Sequence, residues 1–401
     1  MSKVPTSIFL FTAYPLWSET FLRQDLKFLQ ESACPVVGAS LYGGDCEPQD
    51  DWPKVQVLSD GAPPHSTLAR RRSIVGLMVR VLIPKRLYNV LSLQRHRAQI
   101  ERLEAFAREV NATHIHAEFA DLASLVASQV AKRLNITYSV GIHAFDIHAS
   151  RFELSDILSD ASAITVCNRA AMDACKKQFP QTADRLHYIP HGVNLDFWTL
   201  RGAEQSAPDA LEILFVGRLV PKKGVRILLD ALAILQSRSD SPKCHLTIVG
   251  DGPLRDELMQ YTAELKVPVT CWAGVLSQNE LKRLMSSMSC LCAPSVVTKD
   301  GDRDGIPNVI LEAMATGLPV IASDVGSIPD VVTPETGWPV ADIHPQKLAE
   351  TLLAFASLDE TRRRERTIKA KLLIEQRFDA RKFALERRRV FMAQSSSKTN
   401  T

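Results

Sequence analysis

Apolar residues in this chain gather in short runs, and each run leads into a longer stretch where they recur every three or four positions. A strand covered on both faces is continuously apolar, whereas a helix with one buried face shows a 3.6-residue stripe, so the pattern predicts alternating strands and helices. The strand candidates in the first half are Ser7 to Thr12, His114 to His116, Tyr138 to Ile142 and Ala163 to Cys167. In the second half they are Glu212 to Val216, His245 to Val249, Val269 to Trp272, Cys290 to Ala293 and Pro319 to Ala322. That rhythm predicts an α/β fold, with parallel sheets and covering helices in both halves. Between the halves, IPHGVNLDFW and the polar TLRGAEQSAPD read as loop and place a boundary near residues 195–210. We therefore expect domains at 1–200 and 201–375, a last helix at 376–394 and a polar, disordered tail at 395–401. From Lys347 the pattern is consecutively helical, with Phe378, Phe383, Leu385 and Phe391 as a candidate apolar stripe on the very basic last helix.

The stretch from Asp300 to Ser323, DGDRDGIPNVILEAMATGLPVIAS, combines an acidic loop, a short apolar helix, a Gly stop and a buried strand. Pro307 suits the first helical position and Gly317 the left-handed stop. The backbone N–H groups of Gly305, Ile306 and Asn308 would then stand at a helix N-terminus, where an anion or a hydroxyl is welcome. Asp304 precedes that helix and Glu312 lies within it. Asp300, Asp302, Asp304 and Gly305 also match the opening of a calcium loop, but Leu311 stands where the loop needs a bidentate Glu, so no metal is expected. A merely solvated acidic turn leaves Gly305, Pro307 and Gly317 in register unexplained.

Upstream, the strand Glu212 to Val216 ends in Gly217-Arg218, and Lys223-Gly224 opens the helix VRILLDALAIL. Ligands bind beyond the carboxyl ends of such strands, where an Arg fork and a Lys point charge beside a helix start could clamp a diphosphate. The next strand ends in Gly250-Asp251-Gly252-Pro253, which is not the G-x-G-x-x-G dinucleotide fingerprint. Each cation alone reads as a surface charge. Their joint position at strand ends, in one sheet with the acidic loop, points to a site.

The 401 residues suit two domains, and a net charge of +3 is mild. Its distribution is not even, because Arg70, Arg71, Arg72, Arg80, Lys85, Arg86, Arg95, Arg97 and Arg102 crowd one stretch. Mixed with Ile74, Val75, Leu77, Met78, Val79, Val81, Leu82 and Ile83, they form a cationic and apolar segment suited to an anionic bilayer, or equally to a core helix with one solvated face. The stretch lacks interleaved aromatics, so nucleic acid is not an expected partner. Eight cysteines without a C-x-x-C pair suggest neither a zinc site nor a disulfide framework, and fit a reducing cytoplasm. IFLFTAY is read as a first strand rather than a signal peptide, and no apolar run approaches a membrane span.

Gly217-Arg218-Leu219 with Lys223-Gly224, the Gly252-Pro253 turn, and Asp304 to Glu312 with EAMATGLPVIAS resemble the donor half of family 4 retaining glycosyltransferases of the GT-B fold. Ser18-Glu19-Thr20-Phe21, His143-Ala144-Phe145-Asp146-Ile147 and DRDGIPN are similar to its bacterial exopolysaccharide and colanic-acid branch. The similarity covers nearly the whole chain. One departure is Asp304, where the family's paired acids are usually both Glu, and it bears on the sugar more than on the family.

The resemblance implies two Rossmann-like domains whose parallel sheets face across a cleft, with the C-terminal helices returning to the first. It implies that Gly217, Arg218 and Lys223 hold the diphosphate of a UDP- or GDP-sugar, and that Glu312 holds the ribose hydroxyls. Asp304, with Gly305, Ile306, Pro307 and Asn308, would hold the donor sugar. His143 would meet that sugar near its reacting carbon, with Ser18, Glu19, Thr20 and Asp146 on the acceptor side. The acceptor implied is a glycan on a polyprenyl diphosphate, at the inner face of the plasma membrane, with no cofactor or metal. A retaining glycoside hydrolase uses two carboxylates as nucleophile and acid/base. Asp304 and Glu312 are instead read as binding two sugars of one donor, the departing diphosphate taking the acceptor proton. The alternatives are a noncatalytic sugar-nucleotide or glycan-binding protein on the same fold, and an epimerase or phosphorylase; nothing marks a pyridoxal phosphate lysine.

Overall fold

The computed structural model describes residues 6–16, 19–32, 35–48, 52–59, 83–198, 210–267 and 269–396. Residues up to His191 and from Ala380 onward form one compact unit, and Gly192–Asp379 form a second.

In the first unit β1 (Thr6–Tyr14), β2 (Val36–Gly43), β3 (Val55–Val57), β4 (Ala112–Ala117), β5 (Thr137–Ile142), β6 (Ala163–Val166) and β7 (Leu186–Tyr188) make one parallel sheet. Its order is β3-β2-β1-β4-β5-β6-β7. The chain runs outward from β1 and then returns to its other side, so the carboxyl ends of β1 and β4 flank a topological switch point. IFLFTAY lies in the interior strand β1, with Phe9 and Leu10 fully buried. Such burial contributes about 1.5–3 kcal/mol per large apolar side chain.

The second unit repeats the scheme with β8 (Leu211–Val216), β9 (Cys244–Val249), β10 (Val269–Gly274), β11 (Cys290–Ala293), β12 (Val320–Ser323) and β13 (Trp338–Val340). The order is β10-β9-β8-β11-β12-β13, all parallel, and the switch point lies between β8 and β11. Ile213, Leu246, Ile248, Cys290 and Ile321 form its core.

Four strands escape the apolar-run reading. β3, β7 and β13 are sheet edges, where a strand need not be apolar on both faces and a proline such as Pro339 is tolerated. β2, VVGASLYG, is interior but built from small residues, with Ser40 fully buried and its hydroxyl bonded to the Tyr42 carbonyl.

The last helix, Ala380–Ser396, packs within the first unit against helix Thr20–Glu31 and β4. Its inner face is not the expected stripe. Ala380, Ala384, Arg387 and Phe391 are buried at helical spacing, whereas Leu385 is 44% exposed because it sits one position off that face. Phe378 precedes the helix and is buried in the second unit. The helix runs through Ser395 and Ser396, into the segment expected to be disordered, and residues 397–401 lie outside the described ones. So do Ser18 and the segment 60–82 with Arg70, Arg71, Arg72 and Arg80. No helix among the described residues is long and apolar enough to cross a membrane.

Candidate functional site

In the second unit the site grows from the two strand ends at the switch point. Gly217 follows β8 and donates its N–H to the Val249 carbonyl at 3.0 Å, leaving the next residue, Arg218, exposed. A 3-10 turn, Pro221–Lys223, then ends at Gly224, whose φ of 66° is left-handed. A Cβ there would stand 1.8 Å from the Pro294 carbonyl oxygen, so only glycine lets this turn lie against the end of β11.

That approach delivers both lysines to the acidic loop. Lys223 Nζ donates to Asp304 Oδ2 at 2.8 Å, and the Ser295 hydroxyl donates to the same oxygen at 2.7 Å. Lys222 Nζ donates to Asp302 Oδ1 at 3.0 Å and lies 3.9 Å from Asp304 Oδ1. Burial favours protonation of Asp304, but Lys223 and Lys222 outweigh it and hold the carboxyl below its ordinary value. Two of the three carboxylates of the would-be calcium loop, Asp302 and Asp304, are thus matched by two ammonium groups, and Asp300 accepts from the Thr298 hydroxyl.

Helix Asn308–Thr316 follows. Pro307 has φ −59° and ψ 127°, so it stands at the N-cap, one residue before the first helical position expected for it. Its φ suits a helix, but its extended ψ keeps it in the loop. The first N–H groups of the helix have no carbonyl one turn back, as at any helix start. Gly317 closes the helix at φ 82°. Glu312, partly exposed in the second turn, pairs with no basic side chain among the described residues, and burial pushes its carboxyl up to about 8. Lys223 and Asp304 therefore come into direct contact, joined by Ser295 and Lys222, which the sequence did not single out. Arg218 and Glu312 make no ion pair among the described residues.

In the first unit His143 leaves β5 and precedes helix Ala144–Ala149, its backbone N–H donating to Asp146 Oδ2 at 2.9 Å. Its Nε2 lies 2.8 Å from His191 Nε2, and the two rings are parallel within 5°. His191 Nδ1 lies 3.0 Å from Asp25 Oδ2, which is ion-paired with Arg387 Nη1 at 3.0 Å. Glu118 Oε1 stands 3.7 Å from His143 Nε2, 3.8 Å from His191 Nε2 and 3.8 Å from Arg387 Nη2. The file continues inward through His116, Ser139 and His114, each step 2.8–2.9 Å. Phe21 and Phe119 cover the two outer rings, with centroids 4.2 Å from His191 and 4.4 Å from His143.

Burial works to raise Glu118, but Arg387 and His116 hold its carboxyl well below the ordinary value. Burial likewise pushes His114 down to about 3 and lowers His116, so both are neutral. Glu19 and Thr20 stand at the start of helix Thr20–Glu31. Sequence reasoning missed Asp25, Glu118, His191 and Arg387. One signal was available: His114 and His116 alternate along β4 and Glu118 continues the alternation just past its end, a polar face on an otherwise buried strand.

Residues 210–357 match the family described as glycosyl transferases group 1. The chain is 25% identical to WcaL of Escherichia coli K12, a glycosyltransferase assigned to colanic acid biosynthesis, over 88% of this chain and 90% of that one. It is 31% identical to the amylovoran biosynthesis glycosyltransferase AmsK of Erwinia amylovora, over 43% and 42%. Among solved structures it resembles HepE of Anabaena in complex with UDP and glucose, with TM-score 0.71, 18% identity and coverage of 98% and 100%. Sucrose-phosphate synthase of Thermosynechococcus elongatus gives TM-score 0.73 and 19% identity over 97% and 98%. These structural likenesses speak for the fold. The chain thus carries a glycosyl transferases group 1 domain within a two-unit GT-B architecture, and it is a homologue of exopolysaccharide glycosyltransferases.

Proposed function

We propose that the protein is a retaining, metal-independent glycosyltransferase that moves a sugar from a UDP- or GDP-sugar to a lipid-linked glycan in surface polysaccharide synthesis. The observation that carries this reading is the contact of Lys223 with Asp304 at the switch point of the second unit, where β8 and β11 end. A cation for a leaving diphosphate and a carboxylate for sugar hydroxyls stand together there, ahead of a helix N-terminus. Arg218 adds a second cation, and Glu312 accepts from the ribose. HepE, bound to UDP and glucose, and the polysaccharide roles of WcaL and AmsK agree with this donor and setting.

In this reading the protein supplies orientation and charge stabilisation, while the departing phosphate oxygen takes the acceptor proton. Lys222 and Lys223 neutralise the acidic loop without a metal ion. His143 contacts the donor sugar. Helix Lys85–Arg95 supports a place beside the membrane, since Leu87, Val90 and Leu91 are exposed alongside Lys85 and Arg86.

The test is a panel of nucleotide sugars with purified protein in the presence of a chelator, read as nucleoside diphosphate release and as the anomeric configuration of the product. Release from one donor with retained configuration supports the reading. Binding of nucleotide sugars without release from any of them, acceptor present, would instead favour the noncatalytic alternative.

A further inference from the structure

The proposed chemistry uses His143 but gives no role to the buried charges behind it. Asp25 is fully buried, Glu118 is 2% exposed and Arg387 is fully buried, and desolvating three charges is costly unless their arrangement does something. The proton bookkeeping of the two imidazoles shows what. Two lone pairs cannot face each other across 2.8 Å, so one proton lies between His143 Nε2 and His191 Nε2. The Asp25 carboxylate, ion-paired with Arg387, only accepts, so the other ring nitrogen of His191, Nδ1, carries a proton. Burial outweighs the neighbouring Asp25 and Glu118 and lowers His191, which is therefore neutral with a bare Nε2. The proton between the rings then belongs to His143.

We propose that Asp25 and His191 are positioning residues that hold His143 in its Nε2–H form, with its ring plane fixed by the parallel His191 ring and its Nδ1 kept as an acceptor. The capping box at the start of helix Ala144–Ala149 turns the His143 side chain toward the Asp146 backbone N–H as an acceptor, Asp146 Oδ2, 3.6 Å from Nδ1, is already taken by the His143 backbone N–H, and Nδ1 itself is buried. Asp25 is thereby linked to His143 through one intervening ring, an arrangement in which the far carboxylate selects the tautomer of a reactive imidazole. Arg387, from the last helix, keeps the Asp25 carboxylate in place. The kinetic consequence, though not the tautomer itself, rests on the reading of His143 as a donor-sugar contact.

The test uses the full chain labelled with 15N-histidine, the His143 signals being assigned by their loss in His143→Ala. The wild type is expected to show a protonated Nε2 and a bare Nδ1 at His143. That pattern should persist in His191→Gln, whose amide oxygen accepts, and vanish in His191→Phe, which has no acceptor. In the transfer assay His191→Phe should lower kcat on the order of a hundredfold, as for a displaced reacting group, with a smaller change in donor KM. His191→Gln should recover most of the loss. A wild-type His143 protonated at Nδ1 and bare at Nε2, or wild-type kcat from folded His191→Phe, overturns the proposal. The wild-type spectrum decides the tautomer even if His191→Phe does not fold. Wild-type transfer by His143→Ala would instead overturn the sugar-contact reading, leaving the tautomer assignment to stand or fall on the spectrum.

Discussion

Asp304 and Glu312 lie on one loop-helix segment, yet their surroundings drive them in opposite directions. Two lysines hold Asp304 ionised, whereas Glu312 has only its burial and is pushed up to about 8. Between the ordinary carboxylate value and about 8, the folded protein keeps a proton at Glu312 that the unfolded chain has released, so stability falls as pH rises through that window. Glu312→Gln is expected to melt higher than the wild type at about pH 9 and to match it at about pH 5, because only above the window does the wild type bear the partly desolvated charge. Equal melting temperatures at both pH values would show that Glu312 is not protonated in the fold. The clamp residues divide differently. Arg218 is exposed, so Arg218→Ala should leave the melting temperature unchanged while lowering transfer on the order of a hundredfold, as for loss of a charge-stabilising donor. Lys223→Ala should cost a comparable factor in rate and also some stability, since it strips a buried carboxylate of its nearest cation. Wild-type transfer by both variants would remove the diphosphate clamp from the mechanism.

At the scale of elements, the last helix joins the first unit through a face that reads poorly in sequence. Period and composition mark 376–394 as a helix, observed at Ala380–Ser396, but its docking face contains an arginine where an apolar residue is the usual occupant. Arg387 becomes intelligible only with Asp25 on helix Thr20–Glu31 and Glu118 beyond β4 in place, and nothing local to either partner announces that pairing. Arg387→Met keeps the volume but leaves two buried carboxylates without their cation. It is expected to destabilise the protein by about 3–5 kcal/mol, measured as a lower urea midpoint, in line with breaking one side of a buried ion pair. A variant as stable as the wild type would mean that Asp25 and Glu118 take up protons at little cost.

At the scale of the whole molecule, the proposed membrane association would depend on many weak contacts acting together. Polybasic attraction to an anionic surface is worth roughly 1 kcal/mol per residue, and salt weakens it. Sedimentation with anionic and neutral vesicles should separate the wild type from a variant with Arg70, Arg71 and Arg72 all changed to Ser, the wild type binding anionic vesicles more strongly and losing that advantage at high salt. A second variant, Leu87→Ser with Val90→Ser, probes the exposed apolar face of helix Lys85–Arg95. Equal sedimentation of all three proteins with both vesicle types would place the enzyme away from the bilayer.

The local sequence determined the repeated strand-helix rhythm, the parallel sheets, and the Gly217-Arg218, Lys223-Gly224 and Asp304 to Glu312 segments, because hydrophobic period, turn chemistry and helix stops are written within a few neighbouring residues. Edge strands β3, β7 and β13 lay beyond that reading, since an edge needs no continuous apolar run. Tertiary structure alone decided that Lys223 pairs with Asp304, 81 positions away, and that His191 bridges His143 to Asp25, 166 positions away. Such pairings depend on which strand ends and helix faces the topology brings together. Charge and tautomer at the candidate sites follow from those distant partners and from burial, so they became legible only once the chain was folded.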